Sequence, residues 1–178
     1  MFNPKNIADI VTFSRAILAG LLIWLGLFQG REGLSLVFWL MLADWTGDIL
    51  DGFLARRSKN PVHAWIGDHD LEVDIFVSVG LFIYMLLAGF IDWQIGIGYL
   101  LLWIFIIRQW GHSRSLGMLL QAPIYAWFLI VSLQELPASG WVFLGWLLFV
   151  FIITWPRFHR EVVPGFLQGI RETKNGTG

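Results

Sequence analysis

Apolar residues run through this chain in six stretches, at Ile10–Phe28, Leu34–Leu54, Leu71–Phe90, Ile95–Trp110, Leu116–Leu133 and Trp141–Trp155. A hydrocarbon core about 30 Å thick is crossed by roughly 20 residues of helix, so each stretch predicts a membrane-spanning helix. Short polar or glycine-containing connectors separate them: Gln29–Gly33, Arg56–Gly67, Ile91–Gln94, Gly111–Ser115 and Gln134–Gly140. None is long enough for a second domain. The pattern predicts an all-α integral membrane protein of six transmembrane helices, with one domain over residues 1–170 and a polar, glycine-rich, disordered tail over 171–178. The opening run resembles a signal peptide. Asp9 and Arg15 interrupt it, however, and no small-residue cleavage site follows, so it reads as a retained first span.

The cationic residues set the orientation, because cytoplasmic loops retain lysine and arginine. With the N-terminus inside, Lys5, Arg15, Arg56, Arg57, Lys59, Arg108, Arg114, Arg157, Arg160, Arg171 and Lys174 all fall on the cytoplasmic side, leaving Arg31 outside. Both termini are thus expected in the cytoplasm, and the protein in the cytoplasmic membrane of a bacterium or archaeon. Trp39, Trp93 and Trp141 fall near the outer interface and Trp110 and Trp155 near the inner one.

Composition narrows the chemistry. With 57% hydrophobic and 14% charged residues, the chain is too apolar for a water-soluble domain of 178 residues. A net charge of -1, without basic stretches interleaved with aromatics, argues against nucleic acid as a partner. The absence of cysteine excludes disulfides, thiolate chemistry and thiolate-ligated metals, so a metal is expected on oxygen or imidazole.

Acids placed inside apolar surroundings carry the strongest functional signal. Asp44, Asp48 and Asp51 lie near the end of the second run, and Asp68, Asp70, Glu72 and Asp74 at the start of the third. A carboxylate within a membrane helix costs several kcal/mol unless it reaches water, a partner or a metal. Asp48 and Asp51 are spaced i, i+3 and Asp70 and Asp74 i, i+4, so each pair projects from one helix face. Two helices joined by a short loop then bring four carboxylates together at the inner membrane surface. Hard divalent ions such as Mg²⁺, Mn²⁺ or Ca²⁺ favour such an oxygen-only set over zinc or copper, and four carboxylates with open positions suit a pair of metals, Mg²⁺ or Mn²⁺, clamping a phosphoryl displacement. Gly52 and Ala55 leave room for close approach, and Arg56 puts a planar fork at the rim suited to phosphate oxygens. Arg108 and Arg114 are candidates for an acceptor phosphate, although positive-inside retention explains them equally well. Asp44, one turn before Asp48, is either a support for the acids or a polar residue facing a neighbouring helix. Asp68 and Glu72 read as helix-capping or solvated acids. His69 reads as a solvated loop histidine, and His63, His112 and His159 lack ligand-like spacing.

These residues resemble the signature of the CDP-alcohol phosphotransferase (CDP-alcohol phosphatidyltransferase) family, Asp-x-x-Asp-Gly-x-x-Ala-Arg followed by a glycine-containing spacer and Asp-x-x-x-Asp. Asp48, Asp51, Gly52, Ala55 and Arg56 fall in register, and Asp70 and Asp74 supply the last pair; the spacer is one residue longer than the family's usual one. Upstream, the segment from Asn6 through Thr12 to Arg15 is similar to the one these enzymes carry before their first span. The resemblance implies an N-terminal juxtamembrane helix, a homodimer, and an active site facing the cytoplasm. It also implies transfer of a phosphatidyl or phosphoalcohol group from a CDP-alcohol, commonly CDP-diacylglycerol, to an acceptor alcohol in phospholipid synthesis, with release of CMP. In that scheme Asp48, Asp51, Asp70 and Asp74 hold the metals; Asp48, Gly52, Ala55 and Arg56 bind substrate, joined by Arg108 and Arg114; and Asp74 takes the proton of the attacking hydroxyl. Branches using a phosphorylated acceptor often carry a basic residue after the final aspartate; Ile75 stands there, which argues against glycerol 3-phosphate. Two other classes fit the acids less well. A divalent-cation transporter would spread its acids across the bilayer depth, and a catalytically silent relative would not need all four aspartates.

Overall fold

The structure is a computed structural model that describes residues 4–57, 66–111 and 113–174, with side chains over 14–49, 73–111, 113–156 and 158–171. The described residues are helical apart from short turns. Packing concentrates in two compact units, Met1–Gly89 and Phe90–Gly178, within and beyond the stretch expected as one domain.

The first unit contains α1 (Pro4–Phe28), a single 3₁₀ turn (Gly30–Gly33), α2 (Leu34–Arg57) and α3 (Ile66–Leu87). A proline at the first turn is compatible with helix, and α1 then contains no proline up to its end. Residues 4–9, where an N-terminal juxtamembrane helix is expected, form one continuous helix with the first apolar run. α1 packs chiefly along α3. The stripe Arg15, Ala19, Leu22, Leu25 on α1 recurs every three or four residues and is buried, as are Val77, Ser78, Leu81, Tyr84 and Met85 of α3, so both helices contribute to the unit's core. Two glycines set how close the helices come. A Cβ added at Gly80 would lie 3.0 Å from the Cα and carbonyl oxygen of Ala19, and one at Gly26 would lie 3.1 Å from the Cα of Tyr84. Small residues at such crossings let backbones approach.

At the other end of this pair, the buried Tyr84 hydroxyl donates to the Gly30 carbonyl at 3.0 Å, and Arg31 Nη2 donates to the Gly89 carbonyl at 3.2 Å. α3 stops at Leu87, short of the predicted Phe90, because Gly89 takes up the left-handed conformation, φ +71°, that closes many helix C-termini.

The second unit contains α4 (Trp93–Trp110), α5 (Arg114–Glu135), α6 (Pro137–Arg157), one π turn (Phe158–Val162) and α7 (Val163–Lys174). Asp92 caps α4 by accepting from the Gln94 N–H at 2.8 Å, and Ser113 caps α5 by accepting from the Leu116 N–H at 3.3 Å. α5 and α6 form an antiparallel hairpin through Leu136. Its tight end requires glycine: a Cβ at Gly140 would lie 2.6 Å from the Cα of Leu133. Further along, Phe128 and Phe143 meet edge to face with centroids 6.2 Å apart. α7 returns to the start of α5, where Ser115 Oγ donates to the Phe166 carbonyl at 3.2 Å. Residues 171–174, expected in the disordered tail, form the last turn of α7, while 175–178 lie outside the described residues.

The six predicted runs thus coincide with helices α1 to α6. Among the described residues, Arg114–Glu135 and Pro137–Pro156 are long and apolar enough to cross a membrane, and Ser14–Phe28 and Val73–Leu87 are shorter apolar stretches. α2 owes its lower apolarity to Asp44, Asp48, Asp51, Arg56 and Arg57.

Candidate functional site

The first unit gathers charge inside an apolar three-helix arrangement. Arg15 lies one turn before Ala19 on the buried stripe of α1 and is itself only 5% exposed. A guanidinium in that position must be compensated, since an isolated charge away from water is strongly unfavourable. The compensation comes from two other helices. Nε of Arg15 faces Asp44 Oδ1 at 3.4 Å, Nη1 donates to Asp74 Oδ1 at 2.7 Å, and Nη2 pairs with Asp48 Oδ1. Asp44 and Asp48 sit one turn apart on α2, and Asp74 lies near the start of α3. Arginine suits this place better than lysine because its planar fork directs several donors along different edges, so one side chain engages three carboxylates.

The three acids differ in access. The Asp44 side chain is 11% exposed, whereas those of Asp48 and Asp74 are 40% and 38% exposed. A deep acid therefore backs the guanidinium while two more open ones meet its outer edge. In the same turn of α2, Thr46 Oγ1 donates back to the Leu42 carbonyl at 2.6 Å, a contact that often bends helices slightly.

Of the residues expected at the site, Asp48 and Asp74 are brought together here from different helices. Asp51, Gly52, Ala55 and Arg56 lie on α2 and Asp70 on α3, with side chains outside those described. Arg108 and Arg114 are exposed and belong to the second unit, in the last turn of α4 and the first turn of α5. Among the described residues, no group of three or more histidines, aspartates or glutamates is arranged to hold a metal ion by itself. What the geometry offers a cation is narrower. Asp48 and Asp74 already direct carboxylate oxygens at one positive group, and the donors are hard oxygens of the kind Mg²⁺ and Mn²⁺ prefer.

Arg15 and Asp44 join the site from outside the motif: by charge alone Arg15 reads as one of the cytoplasmic cations, and Asp44 reads equally as a support for the acids or as a packed polar residue. The signal for Arg15 was nonetheless in its spacing. A cation in helical register with Ala19 and Leu22 falls on the buried face and requires counter-charges from whatever packs there.

Comparison of the chain with protein-family models, with curated proteins and with solved structures finds no match.

Proposed function

We propose that this chain is a metal-dependent CDP-alcohol phosphotransferase of the membrane, moving a phosphatidyl or related phosphoalcohol group to an acceptor alcohol. The observation that carries the reading is the convergence of Asp48 and Asp74, from the two signature helices, on one buried cation. Asp51 and Asp70 occupy the same two helices within one turn of them. The six-span topology and cytoplasm-facing site belong to the same proposal. It is supported by the apolar side chains that α4 and α6 leave exposed, among them Leu101, Phe105, Phe149 and Ile152, as befits helices solvated by lipid.

In this reading Asp48, Asp51, Asp70 and Asp74 hold a pair of Mg²⁺ or Mn²⁺ ions. Bound there, the ions supply neutralisation of the diphosphate and of the charge that develops on departing CMP. Arg56 pairs with the phosphate oxygens, and Gly52 and Ala55 leave space beside them. The acceptor hydroxyl attacks the β-phosphorus; its oxygen–phosphorus bond forms as the bond from that phosphorus to the CMP oxygen breaks, and its proton passes to Asp74. The lipid tails stay between helices while cytidine and acceptor arrive from the water.

The test is release of CMP by the purified full chain from CDP-diacylglycerol with Mg²⁺ or Mn²⁺, across glycerol 3-phosphate, inositol, inositol phosphate, serine and lipid alcohols. Acceptor-dependent release is expected, with glycerol 3-phosphate a poor acceptor. A protein that binds neither metal nor CDP-alcohol and releases no CMP with any acceptor refutes the reading.

A further inference from the structure

Arg15 divides its contacts by depth. Its Nε, close to the aliphatic stem, faces the enclosed Asp44, while its terminal Nη atoms face the more open Asp48 and Asp74. Three carboxylates on one guanidinium leave an excess of negative charge when all are ionised. The acid that the phosphotransferase-like signature does not require is the one holding the arginine from behind.

We propose that Arg15 is a positioning residue: a built-in counter-cation that keeps Asp48 and Asp74 converged before a divalent metal arrives, yields them to the metal, and stays paired with Asp44. The proposal rests on the metal-dependent reading above. Its physical basis is competition, because a guanidinium and a divalent ion cannot both take the inner oxygens of the same carboxylates. Two acidic helices without a cation would repel each other, so a metal-free protein needs a substitute charge at that point. Asp44 makes the exchange reversible, since Arg15 giving up Asp48 and Asp74 still has a buried partner and is not stranded. The stem of Arg15 is also well anchored: one turn later Ala19 lies against Gly80 of α3, the helix that carries Asp74.

The two halves of the Arg15–Asp44 pair therefore act in opposite directions on metal binding, which a purely structural salt bridge does not do. Removing Arg15 removes the competitor; removing Asp44 drives the guanidinium harder onto Asp48 and Asp74. The experiment uses the full chain in lipid nanodiscs, with Mn²⁺ binding read by electron paramagnetic resonance and thermal unfolding followed in EDTA and in Mn²⁺. Arg15→Gln is expected to bind Mn²⁺ roughly tenfold more tightly than wild type, to unfold at lower temperature in EDTA, and to regain stability with Mn²⁺. Asp44→Asn is expected to bind Mn²⁺ several-fold more weakly. If Arg15→Gln does not fold in EDTA, rescue by Mn²⁺ or by adding Asp74→Asn supports the counter-cation role, and failure of both rescues reduces Arg15 to packing and overturns it. Affinities unchanged or shifted in the same direction in both variants, with wild type binding Mn²⁺ normally, overturn this proposal alone. A wild-type protein that binds no Mn²⁺, is stabilised by neither Mn²⁺ nor Mg²⁺, binds no CDP-alcohol and releases no CMP overturns the metal-dependent reading and this proposal with it; one that releases CMP with Mg²⁺ yet binds no Mn²⁺ overturns this proposal alone.

Discussion

Replacing Gly80 by alanine measures how closely α1 and α3 are matched. The new Cβ would lie 3.0 Å from the Ala19 Cα and carbonyl oxygen and 3.2 Å from the Ala19 Cβ. Carbon atoms rest comfortably at about 3.5–4.0 Å, so the helices must part by about 0.5 Å at this crossing. Overpacking of this kind costs about 1–3 kcal/mol, and the better helix propensity of alanine offsets about 1 kcal/mol of it. Gly20 is the matched control: it neighbours Ala19 on α1, and nothing lies within 4 Å of a Cβ built there. Gly20→Ala should therefore show the propensity gain alone, leaving Gly80→Ala less stable than Gly20→Ala by about 1–3 kcal/mol. Reversible unfolding of both variants in mixed micelles, followed by circular dichroism, gives this difference directly. Equal stabilities for the two would refute the close approach of α1 and α3.

Asp51→Asn and Asp74→Asn should each abolish metal-dependent CMP release, and retained turnover in either variant would sink its assigned role. Tyr84→Phe removes the hydroxyl that donates to the Gly30 carbonyl and should cost about 1 kcal/mol of unfolding free energy, measured in the same micelles. Gly140→Val would drive a branched side chain into the backbone of Leu133, so α5 and α6 cannot keep their tight hairpin; unfolding should show a loss of about 3 kcal/mol or more, and an unchanged stability would refute the packing there.

Some of the site was legible before any fold was known, and some was not. Asp48 and Asp74 announced themselves because carboxylates in apolar helices demand compensation, and their spacing put them at facing helix ends. The compensating group was harder to find. Arg15 is 29 residues from Asp44 and 59 from Asp74 in the chain, and no local pattern ties residues so far apart. Its i, i+4 register with Ala19 marked it as buried, but the partners depended on which helices pack against that face. Without a helix breaker, residues 4–9 continue directly into the helix that follows them.

Hydropathy and punctuation were sufficient to locate α1 to α6, because apolar runs and the prolines and glycines between them act on neighbouring residues. Composition also excluded thiolate-ligated metals, since the chain has no cysteine. Tertiary packing alone decided that Arg15 is shared among Asp44, Asp48 and Asp74, that Gly80 lies on Ala19, and that α7 folds back onto Ser115. Each of these depends on which surfaces of distant helices meet. That choice is set by shape and by the need to compensate a buried charge, and neither is written in any single stretch of the chain.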